Sequence, residues 1–370
     1  MEQLRVLMLV SNLRVANGVT SFVVNYYRHL DHSKISVDFA LYSDRESPYY
    51  DELKQNGSHI FILPSVKNLG YHIEACRKIL LDGKYDVIHD NTLHISIPMM
   101  WCAKQLSVPV RVLHSHSTKL GETKQKEIRN KVFLPFLRGL ATDFTACSEQ
   151  AGKSMFWKKG FKVIPNVIAT DNYCFRKESR AGIRKYMDVE AKFVIGTVGR
   201  LAEQKNPLFA IDVFKKLHEC IPNTEYWWIG SGNLDNQVRS YIESSGLSGC
   251  VRLLGNRNDV LDLYQAMDCF FLPSLFEGLP VTGVEAQAMG LPMVVSDTVT
   301  KEMVYTDLVD YVSLREPVDV WVEHIMKAVN RKINRADYSN LLRNSVFSDK
   351  GCGDTLTRLY EKMLRSETKM

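Results

Sequence analysis

The chain has 370 residues, of which 45% are hydrophobic and 24% charged, and its formal net charge is +5. This balance is typical of a globular protein and excludes disordered and collagen-like chains, and the length predicts two domains. No stretch approaches the roughly 18 consecutive apolar residues of a membrane span, and the apolar start is too short for a signal peptide. The eight cysteines follow no metal-ligand spacing, which predicts reduced thiols in a cytoplasmic protein.

In the first half of the chain, short β-branched runs alternate with amphipathic stretches. The runs predict strands at 5–10, 37–42, 59–64, 86–91, 110–116 and 143–148. The stretches between them predict helices at 19–30, 70–82, 93–106 and 127–141. This alternation predicts a parallel sheet with helices on both faces.

The second half repeats the pattern, with strands predicted at 193–199, 225–230, 251–254, 269–273, 293–297 and 311–314. Between the halves, residues 165–190 carry turn residues and charge without a strand pattern, which is typical of a linker. The predicted fold class is therefore α/β, with two doubly wound domains that face a cleft. In such sheets ligands bind beyond the carboxyl ends of the strands.

The strongest motif is SLFEGLPVTGVEAQAMGLP, residues 274–292. Glu277 follows a predicted strand, Pro280 stands where the next helix begins, and Glu285 lies a little over one turn into that helix. The N–H groups of residues 279–282 are expected to be unpaired, which suits an anion or sugar hydroxyls. Carboxylates are strong acceptors for sugar and ribose hydroxyls. The alternative is that Glu277 caps the helix and Glu285 faces solvent.

A second motif, VGRLAEQKNP at 198–207, also follows a strand and places Arg200 and Lys205 where a helix begins. Two fixed cations beside a helix N-terminus suit a diphosphate whose negative charge grows as it leaves. The alternative is that both are solvated surface charges.

Two weaker candidates lie in the first half. Asn17 and Gly18 open a helix where glycine lets the backbone approach a ligand; a plain turn is the alternative. His114 and His116 end a strand and point to the same side of it. We expect His116 to contact a donor sugar or an acceptor, with a structural histidine as the alternative. The zinc alternative lacks further ligands nearby.

Other nucleotide-binding signatures are missing from the sequence. GSGNLD at 230–235 has Asp235 where a dinucleotide fingerprint needs its third glycine. The chain contains no GxxxxGK[ST] motif. It contains no Asp-x-Asp, the usual device for holding a divalent metal on a nucleotide-sugar. No metal and no cofactor are therefore expected.

With these motifs the chain resembles glycosyltransferase family 4, whose members are retaining transferases with the two-domain GT-B fold. The most specific element is the pair Glu277 and Glu285, with seven residues between them. The resemblance implies that Arg200 and Lys205 hold the donor diphosphate, that Glu285 holds the ribose and that Glu277 lies near the donor sugar. It also implies donor contacts by Gly18, Arg257, Gly278, Leu279, Pro280 and Val281, with the backbone near Arg257 reading the nucleobase.

The resemblance also implies the roles of the two domains. Residues 1–168 plus 350–370 are expected to form an acceptor-binding domain, because the last helix of such enzymes crosses back to it. Residues 169–349 are expected to form the nucleotide-sugar-binding domain. The catalytic residues implied are Arg200, Lys205, Glu277 and His116, and no nucleic-acid partner is implied.

Within the family, HSHS (114–117), TACSEQAGKSMF (145–156) and the VIPN segment resemble bacterial capsule and exopolysaccharide transferases. These build saccharides on a lipid-diphosphate carrier at the inner membrane face. The resemblance implies a metal-independent hexosyl- or N-acetylhexosaminyltransferase that uses a UDP-sugar and a saccharide or lipid-linked saccharide acceptor. A GDP-sugar mannosyltransferase and a catalytically inactive partner subunit are the alternatives.

Residues 119–138 form a basic segment with interleaved aromatic residues. It carries six cations, namely Lys119, Lys124, Lys126, Arg129, Lys131 and Arg138, against Glu122 and Glu127. Such a segment is able to lie on an anionic membrane surface. The alternative is a solvated loop followed by a core helix that Pro135 interrupts, with Phe133, Leu134, Phe136 and Leu137 packed inward.

Overall fold

The computed structural model describes residues 3–14, 17–43, 46–121, 124–157 and 159–367. The chain divides into two compact units. The N-terminal unit comprises Met1–Val167 and Asp349–Met370, and the C-terminal unit comprises Ile168–Ser348. Both boundaries lie one residue before the expected positions.

The N-terminal unit is built on a seven-stranded sheet with the order β3-β2-β1-β4-β5-β6-β7. Its described strand pairings are all parallel. The strands are β1 Leu4–Val10, β2 Ile35–Leu41, β3 Ile60–Ile62, β4 Val87–Asp90, β5 Val110–Ser115, β6 Asp143–Ala146 and β7 Lys162–Val163. The central β1 is a continuous apolar run from Val6 to Val10, because helices cover both of its faces there.

The helices that follow these strands are α1 Gly18–Tyr27, α2 Tyr50–Gln55, α3 Leu69–Gly83, α4 Ile97–Gln105, α5 Lys124–Leu140 and α6 Glu149–Phe156. Apolar side chains of α1, among them Phe22 and Tyr26, join those of β1 in one buried cluster. Parallel strands need a crossover between them, and these helices supply it for most of the sheet.

The C-terminal unit has a six-stranded sheet with the order β10-β9-β8-β11-β12-β13, again with parallel pairings among the described strands. The strands are β8 Phe193–Val198, β9 Thr224–Ile229, β10 Val251–Gly255, β11 Cys269–Leu272, β12 Met293–Ser296 and β13 Val309–Val312. The helices are α7 Lys177–Tyr186, α8 Pro207–Cys220, α9 Asp235–Ser244, α10 Val260–Ala266, α11 Val281–Ala288, α12 Val318–Val329 and α13 Tyr338–Arg343.

The last helix, α14 Cys352–Glu367, belongs to the N-terminal unit although it follows the C-terminal unit in sequence. Leu356, Tyr360 and Met363 are buried in the same cluster as Tyr26 of α1. This confirms the expected return of the last helix; residues 368–370 lie outside the described part of the chain.

Two expectations about local structure are wrong in whole or in part. Residues 165–190 contain the boundary between the two units, but they are not an irregular linker throughout, because α7 lies within them and packs against α10. Two of its charged residues, Arg180 and Arg184, donate to carbonyl oxygens at the end of α10, whereas Lys177 and Lys185 are exposed. Pro135 does not end α5, because the helix continues past it to Leu140. Pro135 and Lys131, whose backbone carbonyl loses its helical donor, are both exposed residues.

Strand order determines where each unit can place a binding site. In the N-terminal sheet the order reverses between β1 and β4, and in the C-terminal sheet it reverses between β8 and β11. At such a point the loops that leave two neighbouring strands diverge, which opens a crevice at the carboxyl ends of the strands. Among the described helices, none combines the length and the apolar character that crossing a bilayer requires.

Candidate functional site

The loops after β8 and β11 carry the predicted cations and the first glutamate, and the structure joins them. Lys205 Nζ lies 2.5 Å from Glu277 Oε1. Gln204 donates to the other oxygen of Glu277 at 3.1 Å and to the carbonyl of Phe276. Because β8 and β11 are neighbours in the sheet, residues 72 positions apart in sequence meet at the point where the strand order reverses.

The Lys205–Glu277 pair is largely removed from water. The two side chains are 13% and 7% exposed. The stem of Lys205 crosses the backbone of Gly199, where a Cβ would come within 2.8 Å of the lysine Cε. Glycine at 199 therefore lets the lysine lie flat against the end of β8. The solvated-charge alternative is wrong for Lys205, whereas Arg200 is exposed.

Helix α11 begins at Val281, directly after Pro280. The expectation of four free N–H groups at 279–282 is wrong in part, because Pro280 has no N–H. The N–H groups of Val281 and Thr282 remain without an acceptor inside the helix, as in any first turn. Among the described residues, the buried hydroxyls of Ser274 and Thr282 also lack a partner.

Glu285 is half-buried and held by two tyrosines. The hydroxyl of Tyr173, which precedes α7, donates to Oε1 at 2.7 Å, and that of Tyr264 on α10 donates to Oε2 at 2.9 Å. Burial raises the pKa of Glu285, and the two hydroxyls act in the opposite direction by stabilising the carboxylate. The alternative is wrong for both glutamates: Glu277 does not cap α11, and Glu285 does not simply face solvent.

Arg257 lies after β10 and forms a two-point ion pair with Asp259, at 2.7 and 2.5 Å. Its hydrogen bonds to Asp259 raise the pKa of Arg257. The neighbouring Asn256 accepts from the N–H of Ser231 at 3.1 Å, which ties the loops after β9 and β10 together. The expected role of the backbone near Arg257 stays a prediction.

In the N-terminal unit, Gly18 is the first residue of α1. Asn17 caps the helix by accepting from the N–H of Val19 at 3.0 Å. A Cβ on Gly18 would meet no atom within 4 Å, so the backbone here is open to approach. Residues 15 and 16, which precede this cap, lie outside the described part of the chain.

His114 and His116 do point to the same side of β5: their rings stack with centroids 4.2 Å apart and planes 22° apart. His116 Nε2 lies 2.8 Å from Oδ1 of Asn91, which follows β4. Burial lowers the pKa of His116 to about 3, so the ring is neutral near neutral pH.

Sequence reasoning missed three residues that surround these histidines. His89 Nε2 lies 3.1 Å from His114 Nδ1, and His89 Nδ1 lies 2.6 Å from the hydroxyl of Tyr360 on α14. His89 and Asn91 fall within a predicted strand, where they gave no signal of their own. The available hint was that the two predicted strands, 86–91 and 110–116, both end in a polar residue.

The basic segment corresponds to α5 and divides its apolar residues between two faces. Leu134 and Leu137 are buried, as the core-helix alternative requires. A second set is exposed on the outside of the helix, namely Ile128, Val132, Phe133 and Phe136. Glu122 of this segment lies outside the described residues.

The C-terminal unit therefore gathers complementary groups at one edge of its sheet. These groups are two carboxylates, the two cations after β8, and the N–H groups in the first turn of α11 that have no acceptor within the helix. Carboxylates accept hydrogen bonds from hydroxyls, while cations and helix N-termini attract anions. The arrangement suits a ligand that is both hydroxylated and anionic.

Comparisons with known proteins agree with this chemistry. Residues 179–344 match the family model described as "Glycosyl transferases group 1", and residues 16–172 match "Glycosyltransferase Family 4". The chain is 30% identical over 339 residues to EpsF of Bacillus subtilis (strain 168), a protein named as a glycosyltransferase. That match covers 88% of this chain and 88% of EpsF.

A second relative is the Escherichia coli UDP-Gal:alpha-D-GlcNAc-diphosphoundecaprenol alpha-1,3-galactosyltransferase, 28% identical over 281 residues, 70% of this chain and 71% of that protein. Among solved structures, Anabaena HepE in complex with UDP-glucose superposes with a TM-score of 0.80 at 18% identity, covering 97% of this chain and 100% of that chain. The solved structures that resemble this chain are GT-B glycosyltransferases, so the fold agrees with the family matches. The chain therefore belongs to glycosyltransferase family 4 and is a glycosyltransferase with the GT-B fold.

Proposed function

We propose that this glycosyltransferase moves a hexosyl or N-acetylhexosaminyl group, with retention of configuration, from a UDP-sugar to a lipid-linked saccharide. The product would be an intermediate of a cell-surface polysaccharide. The observation that carries the proposal concerns Glu285 on α11. Its carboxylate is half-buried and accepts hydrogen bonds from two tyrosines, and α11 follows the loop that carries Glu277, the partner of Lys205.

In this proposal each group at the sheet edge has one task. Glu285 accepts hydrogen bonds from the ribose hydroxyls, because its two oxygens keep acceptor capacity beside the tyrosines. The N–H groups that begin α11 and the cations Arg200 and Lys205 hold the diphosphate. Both cations stabilise the negative charge that develops as the diphosphate leaves, and Glu277 lies near the transferred sugar.

Two printed names support the choice of donor and acceptor. The E. coli relative is named for a UDP-galactose donor and a diphosphoundecaprenol-linked acceptor. HepE was crystallised with UDP-glucose. We extend a UDP-sugar and a lipid-linked saccharide to this chain on that basis.

The test is a panel of UDP-, GDP- and ADP-sugars, measured by thermal stabilisation and slow donor hydrolysis. A ligand that binds only the folded state raises the melting temperature, by about 2.7 kcal/mol of added stability at 100 times its Kd. We expect the UDP-sugars to stabilise the wild type and not Glu285→Ala. Glu243→Ala, an exposed residue of α9, is the matched control and should behave as wild type.

The panel also separates the alternatives. Stabilisation by GDP-sugars alone would favour the mannosyltransferase and reject the UDP assignment. A folded protein that binds none of the nucleotides would favour the inactive partner subunit.

We further propose that catalysis needs no metal ion, because Arg200 and Lys205 supply the positive charge on the diphosphate. Activity is then expected to survive excess EDTA. A complete loss that added Mg²⁺ or Mn²⁺ reverses would reject this part of the proposal. Glu277→Ala provides the comparison, since its loss of turnover should not respond to metal.

The second partner we propose is an anionic membrane surface, contacted through α5, which would place the protein at the cytoplasmic face of the membrane. Ile128, Val132 and Phe136 are 64%, 58% and 64% exposed and recur every four residues, so they share one face. Exposed Lys124, Lys126 and other cations accompany them. Each cation near an anionic leaflet contributes about 1 kcal/mol, and the apolar face adds burial in the interface.

Vesicle sedimentation tests this partner. Binding should rise with the fraction of anionic lipid, fall with salt, and weaken when Lys124, Lys126 and Lys131 become glutamate. The control is the same charge reversal at three exposed lysines of the C-terminal unit, Lys177, Lys185 and Lys215. Equal loss of binding in both triple variants would point to net charge alone, and no loss in the α5 variant would exclude this surface.

A further inference from the structure

Asn91 occupies the point of the N-terminal unit where the strand order reverses. It follows β4 directly, and its backbone N–H donates to the carbonyl of Leu9 in β1 at 3.0 Å. Its side-chain nitrogen, Nδ2, donates to the carbonyl of His89 at 3.3 Å. Because that nitrogen is engaged by a carbonyl, the amide oxygen Oδ1 faces His116 Nε2 at 2.8 Å.

This contact decides which nitrogen of His116 carries the proton. An amide oxygen only accepts hydrogen bonds, so Nε2 must be the donor. The ring is neutral, since burial lowers the pKa of His116 to about 3, and a neutral imidazole has a single N–H. Nδ1 is therefore unprotonated and able to accept. Among the described residues, Asn91 is the hydrogen-bond partner of the His116 side chain.

The ring is also fixed in position. It stacks on His114 at 4.2 Å and meets the ring of Phe22 edge-on at 5.0 Å. Behind it, His114 Nδ1 contacts both His89 and the hydroxyl of Thr145. The His116 ring is contacted on two sides and carries its proton on one nitrogen. The lone pair of the other nitrogen, Nδ1, therefore points in one direction.

We propose that Asn91 is a positioning residue, which holds His116 as the Nε2–H tautomer so that Nδ1 accepts a hydrogen bond from a hydroxyl of the bound sugar or acceptor. The inference rests on the proposed function in taking that ligand to be a saccharide. It defines the chemistry of the ligand group at His116: a hydroxyl donor fits, and a methyl ether or a carboxylate does not.

The tautomer is measurable without any ligand. In protein labelled with ¹⁵N in the histidine rings, the His116 signals are those lost in His116→Gln. We expect wild type at pH 7 to show the proton on Nε2, and Asn91→Leu to show both tautomers or the Nδ1–H form. A wild-type proton on Nδ1, or an unchanged tautomer in Asn91→Leu, would overturn the proposal.

Kinetics with Asn91→Asp test the consequence for the reaction. The added carboxylate raises the pKa of His116, and the charged ring carries a proton on both nitrogens, so Nδ1 stops accepting. We expect kcat/KM to fall about tenfold as pH drops through the raised pKa, the size of one lost hydrogen bond, and to recover above it. Wild type should show no step from His116, because its ring stays neutral down to about pH 3.

The other titratable groups near the ring should not produce a difference between Asn91→Asp and wild type. His114 and His89 are both kept neutral by burial. Burial raises the pKa of Asp90 to about 6, so a step from Asp90 is expected in wild type and in Asn91→Asp alike, and the difference between the two pH profiles is the part that belongs to His116. If the pH profile of Asn91→Asp matches that of wild type, Asn91 does not act through His116. Asp is nearly isosteric with Asn, so the pH profile of Asn91→Asp can be measured even where Asn91→Leu fails to fold.

Failure of this inference is distinguishable from failure of the proposed function. Nucleotide contacts are assigned to the C-terminal unit, so UDP affinity should be unchanged in Asn91→Asp and Asn91→Leu. Unchanged UDP affinity together with an unchanged tautomer would overturn the Asn91 role and leave the donor assignment standing. Loss of UDP affinity in these variants would instead show that Asn91 acts on the fold, and would also overturn its positioning role.

Discussion

At the scale of single residues, the Lys205–Glu277 pair has consequences for stability as well as for catalysis. Removing one partner of a largely buried ion pair leaves the other charge without compensation. We expect Lys205→Met to lower the free energy of unfolding by on the order of 3 kcal/mol. The double variant Lys205→Met with Glu277→Gln should lose less than the sum of the two single variants. Urea denaturation of all four proteins measures this, and additive losses would show that the pair is not coupled.

The raised pKa of Glu285 predicts how nucleotide affinity depends on pH. The ionised carboxylate is the stronger acceptor for hydroxyls, and protonation turns one of its oxygens into a donor, so UDP affinity should decline as pH falls through this pKa. Tyr173→Phe removes a hydroxyl that stabilises the carboxylate, and so should move the decline to higher pH. Calorimetric titration with UDP over a pH series tests this. Tyr241→Phe, which loses a bond to Asp212, is the control and should leave the curve unmoved.

The positions of the candidate site residues were easier to predict from the sequence than their contacts. Arg200, Lys205, Glu277 and Glu285 follow strands or begin helices, and both features are readable from local pattern. The ion pair of Lys205 is not readable, because it depends on β8 and β11 being neighbours in the sheet. His89 and Asn91 were missed for a similar reason: each makes its contact with a residue in or directly after a different strand, β5.

At the scale of elements, the end of α11 depends on one glycine. Gly290 has φ +62, and a Cβ there would come within 2.5 Å of the backbone oxygen of Arg335. Gly290→Ala should therefore cost more than the roughly 1 kcal/mol of a left-handed alanine alone. Gly182→Ala in α7 is the control: its Cβ meets no atom within 4 Å, and the change should be neutral or stabilising by up to about 1 kcal/mol. Equal unfolding free energies for the two variants would contradict this account.

The strands were predicted well and the charged helix was not. Buried parallel strands such as β1 and β11 are continuous apolar runs bounded by polar residues, so their limits are visible. Helix α7 was taken for a linker because its buried arginines resemble surface charge in sequence. Their partners are carbonyls at the end of α10, which no local pattern shows. The two-residue β7 is too short to produce any periodicity.

At the scale of the whole molecule, the C-terminal unit is a continuous stretch of chain with its own core. Its ends are joined, since Ile168 donates through its backbone to Phe347 at 3.0 Å and the hydroxyls of Thr170 and Ser348 lie 3.1 Å apart. We expect residues 168–348 expressed alone to unfold cooperatively and to be stabilised by UDP. Circular dichroism melts with and without UDP measure both. A folded fragment that UDP does not stabilise would show that nucleotide binding needs the rest of the chain.

The N-terminal unit has the opposite property, because α14 closes its core only after the entire C-terminal unit has been synthesised. A ribosome adds roughly 5–20 residues per second, so the apolar side chains of α1 wait roughly 15–65 seconds for their cover. The half of the protein made first is therefore the half whose core is completed last. A nascent chain that terminates before α14 keeps this surface exposed, and such surfaces are what chaperones and proteases act upon.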